Sequence, residues 1–299
     1  MLETTVEVRA DDVRLIGTLC QPDNDGPYPA ALLLSGSGPL DRDSNIPGQR
    51  LDVSKALAEG LAARGVASLR YDKRGVGESG GDFVTATFSD ETADASNALN
   101  VLRAIPETNG RVAVIGHSVG ATIAMRLARN SGPPDAYVFL AGAAVPGGTV
   151  MAWQSRRIAS TLPAPWRWFG GTLERRQARD RERLLASTGA TLRLRRQEQP
   201  AAWLREFMTY DPAGDLAAVA GPVLAITGLA DLQVDPADVM AIGRLVTGPF
   251  TGETPDHLTH LLRIDHHAPS LGRYTNQLLR PVEPSLVDRV ASWTSLHLC

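Results

Sequence analysis

The most constraining feature of this 299-residue chain is a serine between two glycines, where a predicted strand meets a predicted helix. The stretch Arg111–Arg126 reads RVAVIGHSVGATIAMR. Its first half, Val112–Ile115, is a short unbroken apolar run flanked by glycines, which is typical of a parallel strand buried on both faces. Its second half, Val119–Ala128, lacks proline and spaces apolar residues four apart, which predicts a helix. Ser118 lies at the corner between the two.

The corner has the pattern Gly-x-Ser-x-Gly, from Gly116 to Gly120. A serine on a sharp strand-to-helix turn brings backbone segments close together, so the positions two before and two after it have no room for a side chain. The hydroxyl then points outward at the helix N-terminus, where free N–H groups and the helix dipole favour a developing negative charge. We predict that Ser118 is a nucleophile. The alternative is a glycine–serine loop without chemistry, which the flanking strand and helix disfavour.

In this strand–serine–helix arrangement the chain resembles the α/β-hydrolases, in the branch of serine esterases and lipases. The resemblance implies a mostly parallel, eight-stranded, doubly wound sheet with an antiparallel start, helices on both faces and a helical lid. It also implies a serine, an acid and a histidine, in that order along the chain, and an oxyanion hole of two backbone N–H groups.

Composition and charge fit one large domain, or one domain with an insertion. The chain is 43% hydrophobic, and its formal net charge of -3 provides no basic field for nucleic acid. Its two cysteines, Cys20 and Cys299, argue against a disulfide framework and favour a reducing compartment. The N-terminus lacks the pattern of a signal peptide, and no run approaches the ~18 apolar residues of a membrane span. We therefore expect a soluble cytoplasmic protein.

Strand and helix signals alternate along the chain as a doubly wound sheet requires. Strands are predicted at Thr4–Arg9 and Val13–Leu19, which form a hairpin, and at Ala30–Leu34, Val66–Tyr71, Ala136–Ala141 and Pro222–Thr227. Helices are predicted at Leu51–Arg64, Ser89–Ile105 with Ser89 as its cap, Ala237–Leu245 and Pro284–Leu296. The strand expected within residues 248–258 has no clear hydrophobic run.

A glycine-rich loop, Ser35–Pro39, directly follows the strand Ala30–Leu34. Many α/β-hydrolases have His-Gly-x at the end of this strand, and Ser35, Gly36 and Ser37 occupy the matching positions. By that match the N–H of Ser37 is one oxyanion donor, and the N–H of Val119, just after the nucleophile, is the other. The Ser-Gly-Ser-Gly-Pro form is similar to a bacterial subgroup of peptidase-like and esterase-like hydrolases. The alternative is a turn without a catalytic part.

A second glycine-rich loop contains a literal Gly-x-Gly-x-x-Gly at Gly75, Gly77 and Gly80. A dinucleotide site needs a helix directly after this pattern and an acidic residue after the next strand, and neither signal is present. The stretch Tyr71–Ser79 instead resembles the Tyr-Asp-x-Arg-Gly-x-Gly-x-Ser segment that hydrolases carry after the fourth strand, where it packs the loop beneath the nucleophile.

The acid and the base of the triad are expected at the ends of later strands. Asp231 follows the strand Pro222–Thr227 in a Gly-x-x-Asp pattern, where the superfamily places the acid. Asp235 is the other candidate, but its position before Pro236 suits an N-cap of the following helix better.

Among the later histidines, His260 is the predicted base. It lies 29 residues after Asp231 and resembles the family's x-Asn-His-x-x segment, with Thr259 in place of asparagine. His257 and His266 remain alternatives. The spacing of these histidines matches no common metal-ligand pattern, so we expect neither a metal nor an organic cofactor.

Residues 146–215 differ from the rest of the chain. They are rich in arginine, helical in pattern, and hold four of the five tryptophans: Trp153, Trp166, Trp168 and Trp203. They fall between two predicted sheet strands, where this fold accepts a lid. We therefore predict a core of residues 1–145 and 216–299 with a lid at 146–215. Trp203 and Phe207, four apart, are expected to attach the lid to the core, with a substrate-lining role as the alternative.

These features predict a serine hydrolase that cleaves carboxylic esters of small or medium substrates. Ser118 would attack the carbonyl, His260 would take the serine proton, Asp231 would orient the imidazole, and the N–H groups of Ser37 and Val119 would bind the oxyanion. A peptidase, amidase or thioesterase of the same fold is one alternative. A non-catalytic binding protein of the hydrolase fold is another.

Overall fold

A computed structural model describes residues 1–10, 12–23, 25–162 and 170–298. Trp166 and Trp168 of the predicted lid, and Cys299, lie outside these ranges. The described strands are β1 Leu2–Ala10, β2 Val13–Gln21, β3 Tyr28–Leu34, β4 Ala67–Tyr71, β5 Thr108–His117, β6 Ala136–Leu140, β7 Leu192–Leu194, β8 Gln197–Gln199, β9 Val223–Ile226 and β10 Phe250–Glu253.

Eight of these strands form one sheet in the order β1-β2-β4-β3-β5-β6-β9-β10. The pairs β1–β2 and β2–β4 are antiparallel, and all other neighbours are parallel. The predicted N-terminal hairpin and the mostly parallel, eight-stranded sheet are therefore confirmed. The remaining strands, β7 and β8, form a separate two-stranded ribbon.

Helices cover both faces of the sheet. They are α1 Val53–Ala62, α2 Phe88–Ala104, α3 Val119–Arg126, α4 Gly147–Ser160, α5 Gly170–Ala186, α6 Ala201–Thr209, α7 Ala213–Leu216, α8 Asp238–Leu245, α9 Tyr274–Gln277 and α10 Pro284–Leu298. None of the helices in the described ranges combines the length and the apolar character needed to span a bilayer.

The apolar runs of the central strands follow from burial on both sides. In β3, Ala30, Leu32 and Leu34 pack into one core cluster with residues of α2 and α3. The alternate residues, Ala31 and Leu33, pack into a second cluster with residues of α1 and α10. Since successive side chains of a strand point to opposite faces, a strand covered on both faces must be apolar at every position.

The start of α2 corrects one prediction. Thr87, not Ser89, is the N-cap: its side chain accepts a hydrogen bond from the Asp90 N–H, and the Asp90 carboxylate accepts one from the Thr87 N–H. This reciprocal pair is a capping box. Ser89 lies inside the first turn and is exposed, and its N–H donates to the Glu206 carboxylate at 2.8 Å.

The start of α8 corrects another prediction. The N-cap position is Ala237, and no side chain caps this helix. Asp235 accepts a hydrogen bond from the Ala237 N–H at 3.0 Å, so it closes a turn just before the helix rather than capping it.

The position of the last strand, β10, explains why residues 248–258 contain no clear hydrophobic run. This strand pairs with β9 on one side only and forms the edge of the sheet, where its residues are partly exposed. Phe250 is its one large apolar residue. A side chain added at Gly243 of α8 would lie 2.4 Å from the Phe250 ring, so the glycine makes room for this contact.

The segment between β6 and β9 contains α4, α5, the β7–β8 ribbon, α6 and α7. Its α6 packs against the start of α2 through aromatic rings. Trp203 and Phe207 each lie 5.7 Å from Phe88, centroid to centroid, and Tyr210 lies 5.5 Å from it. The Arg126 guanidinium of α3 covers the same Phe88 ring at 4.9 Å. This aromatic cluster joins the segment to the elements beneath it.

Candidate active site

Ser118 lies in a strained backbone conformation between β5 and α3, with φ 55° and ψ -120°. Its N–H donates to the Leu140 carbonyl at 2.8 Å. A Cβ added to Gly116 would lie 2.2 Å from the Gly120 carbonyl oxygen, and one added to Gly120 would lie 2.2 Å from the Leu34 carbonyl oxygen. Both glycines are therefore required by backbone contacts, as the motif predicts.

The predicted acid and base form a direct pair. Asp231 is fully buried, and its Oδ2 lies 2.8 Å from Nδ1 of His260. Its other oxygen accepts hydrogen bonds from the N–H groups of Gln233 at 2.6 Å and Val234 at 3.0 Å. The contact with Asp231 orients the imidazole so that its Nδ1 proton points toward the carboxylate. The Nε2 atom of His260 is then the nitrogen that can accept a proton.

Backbone contacts bring the two loops of this pair together. Gly228, at the end of β9, passes so close to the loop of His260 that an added Cβ would lie 1.9 Å from the Leu258 carbonyl oxygen. The Leu258 carbonyl also accepts a hydrogen bond from the Ala230 N–H at 3.2 Å. Thr259, directly before His260, donates to the side-chain oxygen of Gln277 at 3.0 Å.

A buried arginine supports the loop of His260 from the other side. Arg263 is 2% exposed and donates to the carbonyl oxygens of Leu261 and Leu51, each at 2.6 Å. Burial lowers the pKa of Arg263. The sequence does not predict this role, since nothing in the local pattern around Arg263 indicates that its side chain reaches the segment before α1.

His117 connects the serine corner to the base. Its buried ring lies 5.0 Å from the His260 ring, and its Nε2 donates to the His260 carbonyl at 2.9 Å. Burial, with the neighbouring His260 in second place, lowers the pKa of His117 to about 3, so the ring is neutral at physiological pH. This residue was also missed, although its place directly before the serine is a signal that could have drawn attention to it.

The structure brings Asp231 and His260 together and places Ser118 next to His117, against which His260 packs. In the described part of the chain the Ser118 hydroxyl makes no hydrogen bond, which is common before substrate binds. The alternative histidines do not share this position. His257 and His266 are exposed and contact each other, with ring centroids 4.6 Å apart.

The two predicted oxyanion donors border the same cavity as Ser118. Ser37 lies on the loop after β3, and a Cβ added to the preceding Gly36 would lie 3.5 Å from Cβ of Ser118. Among the described residues, neither the Ser37 N–H nor the Val119 N–H has a backbone acceptor. Both donors remain available to a ligand.

The cavity beside Ser118 has a volume of about 170 Å³. Its floor comes from the carboxyl end of the sheet and its roof from α4 and α6. Most of the lining is apolar, which suits an acyl or alkyl group; the apolar side chains from the roof are Val150, Met151, Trp203, Leu204 and Phe207. Trp203 and Phe207 thus combine the two positions that the sequence offered as alternatives. They pack α6 against α2, and they also line the cavity.

The described ranges contain no cluster of three histidine, cysteine, aspartate or glutamate residues that could hold a metal ion. The chemistry that this arrangement can perform is nucleophilic attack by a serine, with proton transfer to a histidine.

Comparison with known protein families identifies the chain. A family model described as "X-Pro dipeptidyl-peptidase (S15 family)" matches residues 11–242, well over half of the sequence. The chain belongs to this S15 family. Esterase EstD of Thermotoga maritima is 30% identical over 287 residues, which cover 93% of this chain and 65% of that protein. The chain thus spans slightly less than two thirds of this relative's length.

Solved structures show the same fold as this S15 family member. Est1E from Butyrivibrio proteoclasticus with bound ferulic acid aligns over 98% of both chains, with a TM-score of 0.65 and 18% identity. The Pyrococcus furiosus esterase Pf2001 aligns over 100% of this chain and 92% of its own, with a TM-score of 0.61 and 17% identity. These similarities establish the α/β-hydrolase fold.

Proposed function

We propose that this protein is a serine hydrolase that cleaves carboxylic esters of small or medium size. The observation that carries the proposal is the 2.8 Å hydrogen bond between buried Asp231 and His260, next to the strained turn of Ser118. The similarity to Esterase EstD favours ester chemistry. The apolar cavity beside Ser118 supports a small-molecule substrate rather than nucleic acid or another macromolecule.

The proposed mechanism assigns one role to each residue. The Ser118 hydroxyl oxygen attacks the ester carbonyl carbon while Nε2 of His260 takes its proton. Asp231 stabilises the resulting imidazolium, and the N–H groups of Ser37 and Val119 bind the oxyanion. The imidazolium then protonates the leaving alcohol, and water, deprotonated by His260, hydrolyses the acyl-enzyme.

We also propose that residues 1–145 and 216–299 form the catalytic core and that residues 146–215 form a lid. The aromatic contacts of α6 with Phe88 and the cavity between α4, α6 and the sheet support this division. In this arrangement the substrate lies between the core and the lid.

The test of the serine mechanism is Ser118→Ala, assayed on p-nitrophenyl acetate. We expect a correctly folded protein whose turnover is lower by several orders of magnitude and which no longer reacts with a fluorophosphonate probe. Ser89→Ala, at an exposed serine of α2, is the matched control and should retain activity. Undiminished hydrolysis by Ser118→Ala would rule out the mechanism.

Cleavage of peptide bonds after proline is the second candidate, and the family match favours it. The same triad can cleave an amide, because attack by serine and protonation of a leaving amine use the same groups. Assays with an X-Pro-p-nitroanilide beside p-nitrophenyl esters separate the two activities. A higher kcat/KM on the anilide would favour the peptidase.

We further propose a cytoplasmic location. Cys20 is a free, fully buried thiol in β2, and burial raises its pKa, so it is an inert packing residue. A buried free cysteine fits a reducing compartment. Fractionation of the source cells, with immunodetection of the protein, tests this location.

A further inference from the structure

Lys73 is a buried lysine beneath the loop that carries the predicted oxyanion donor Ser37. Its Nζ donates to the Gly36 carbonyl at 2.6 Å and lies 3.0 Å from the Glu91 carboxylate. The side chains of Lys73 and Glu91 are only 8% and 9% exposed. Burying an ammonium group is unfavourable unless its contacts compensate for the lost hydration, so the contacts of Lys73 require an explanation. The proposed mechanism gives this lysine no role.

The contact with Gly36 determines the direction of the neighbouring N–H. The carbonyl of Gly36 and the N–H of Ser37 belong to one planar peptide group, and in a trans peptide they point in opposite directions. A hydrogen bond that holds this carbonyl toward Lys73 therefore turns the Ser37 N–H away from Lys73. Ser118 lies close to this peptide, since a Cβ added to Gly36 would be 3.5 Å from its Cβ, and Ser37 and Ser118 line the same cavity.

We propose that Lys73 is a positioning residue that holds the Gly36–Ser37 peptide in the orientation needed for the oxyanion hole. This inference rests on the proposed function, because an oxyanion forms only if Ser118 attacks a carbonyl. A rotated peptide would present its carbonyl oxygen to the developing negative charge, which would repel it.

The residue before Lys73 holds the same loop at a second point. Asp72 is 2% exposed and accepts hydrogen bonds from the Arg42 N–H at 2.7 Å and from its guanidinium at 2.6 Å. A Cβ added to Gly77 would lie 2.3 Å from the Asp72 carboxylate, so this glycine allows the approach. Asp72 and Lys73 together fix both ends of the segment from Gly36 to Arg42.

Glu91, the carboxylate partner of Lys73, packs against it, but this contact does not explain why a charged residue is needed at position 73. One carboxylate oxygen of Glu91 has no hydrogen-bond partner among the described residues. A matched pair of apolar side chains could fill this space without the cost of burying two charges. The consequence specific to the ammonium is its hydrogen bond to the Gly36 carbonyl.

The test is the double variant Lys73→Met/Glu91→Leu. Replacing both partners by apolar groups of similar size avoids an uncompensated buried charge, so the variant should fold, with only a small loss of Tm from the Gly36 carbonyl that loses its donor. The chain offers a matched control, because its other lysine, Lys55, is a partly exposed residue of α1. Lys55→Met removes a lysine without touching the loop.

Two measurements are made on each protein: steady-state kinetics with p-nitrophenyl acetate, and hydrogen–deuterium exchange of peptides covering residues 35–42. For the double variant we expect kcat to fall by roughly tenfold to a hundredfold with KM changed less than twofold, because the interaction acts in the transition state. We also expect faster exchange in residues 35–42. Lys55→Met should match the wild type in both.

An unchanged kcat in a folded double variant would overturn the proposal, and so would exchange of residues 35–42 identical to that of the wild type. A parallel rise in KM and fall in kcat with a large loss of Tm would also overturn it, since a purely structural role predicts that result. If the wild type itself fails to hydrolyse esters and to react with fluorophosphonate, the proposed function fails. The exchange measurement then still decides whether Lys73 holds the loop.

Discussion

Among single residues, Gly120 carries a steric demand beside Ser118 that is as tight as that of Gly116. We predict that Gly120→Ala disrupts the turn, because the new Cβ would lie 2.2 Å from the Leu34 carbonyl oxygen, which is held in the central strand β3. Overpacking of this kind typically costs about 1–3 kcal/mol, so we expect a loss of that size in the free energy of unfolding. The measurements are urea unfolding and the rate of fluorophosphonate labelling, which should fall with it.

Gly171→Ala is the control for this prediction. Gly171 lies in the first turn of α5, and an added Cβ would meet no atom within 4 Å. Alanine is also the better helix former, so this variant should be neutral or more stable by up to ~1 kcal/mol. Equal stability of the two variants would show that the turn can relax around Gly120.

His117 should make the free energy of unfolding decrease as the pH falls below neutrality. Its pKa is about 3 in the folded protein, against the ordinary histidine value of 6.5 that applies once the chain is unfolded, so between these pH values the unfolded chain binds more protons. The contribution of neutral, buried His117 to the free energy of unfolding is therefore fully present above pH 6.5. It is lost progressively as the pH falls toward 3. Between roughly pH 7 and pH 5 the loss attributable to His117 should be about 2 kcal/mol.

The variant His117→Gln tests this expectation, because glutamine does not ionise and can still donate to the His260 carbonyl. The difference in unfolding free energy between pH 7 and pH 5, measured with urea, should shrink by the same amount. His266→Gln, at an exposed ring, should leave that difference as in the wild type. An unaltered difference in His117→Gln would show that His117 is protonated in the folded state.

The sequence predicts residues whose role is set locally and misses those whose role depends on distant loops. Ser118 is defined by the glycines two positions away, and Asp231 and His260 follow from chain order. His117, Arg263 and Lys73 act on carbonyl groups of segments far away in the chain. No periodicity or spacing in the sequence could indicate those contacts.

Among secondary-structure elements, α2 offers a direct comparison of two candidate caps. Thr87→Ala should destabilise the protein by about 1 kcal/mol, because it removes the side chain that accepts the Asp90 N–H and leaves that donor without a partner. Ser89→Ala should change stability by less than ~0.5 kcal/mol, since an exposed residue away from a cap contributes little. Thermal or urea unfolding of both variants checks the pair.

If Ser89→Ala destabilised the protein more than Thr87→Ala does, Ser89 would be the N-cap of α2. That result would contradict the capping box of Thr87 and Asp90. The sequence favours Ser89 because the acidic residues of the first turn follow it. The structure starts the helix one residue earlier, at Phe88, which is fully buried against Trp203 and Phe207. The capping box of Thr87 and Asp90 sets the boundary, and the aromatic contacts of Phe88 are consistent with it.

The strands also differ in how clearly the sequence predicts them. The central strands β3, β5, β6 and β9 are buried on both faces and are recognised from apolar runs alone. The edge strand β10 is half exposed and carries no such run, so only its pairing with β9 reveals it. Sequence patterns report burial, and β10, which is only four residues long and partly exposed, leaves a weak pattern.

For the protein as a whole, the cavity belongs to two parts of the chain. Loops at the carboxyl end of the sheet supply Ser118 and the two N–H donors, whereas α4 and α6 supply most of the apolar wall. Under the proposed esterase function, changes in the apolar wall should therefore alter which esters are accepted without altering the chemistry. Val150 of α4 is suited to this test, because it packs against Ala141, Ala143 and Val234 at the cavity.

We predict that Val150→Phe narrows substrate preference toward short acyl chains. The added ring fills part of a cavity of about 170 Å³, so kcat/KM for p-nitrophenyl butyrate should fall roughly tenfold, the usual size of effects from one or two methylenes in an apolar pocket. For p-nitrophenyl acetate the change should stay within twofold. Thr149→Phe, an equally large residue at the adjacent exposed position of α4, should leave both values unchanged. An equal fall for both esters in Val150→Phe would mean that the acyl chain lies elsewhere, and that this cavity receives the alcohol part of the ester.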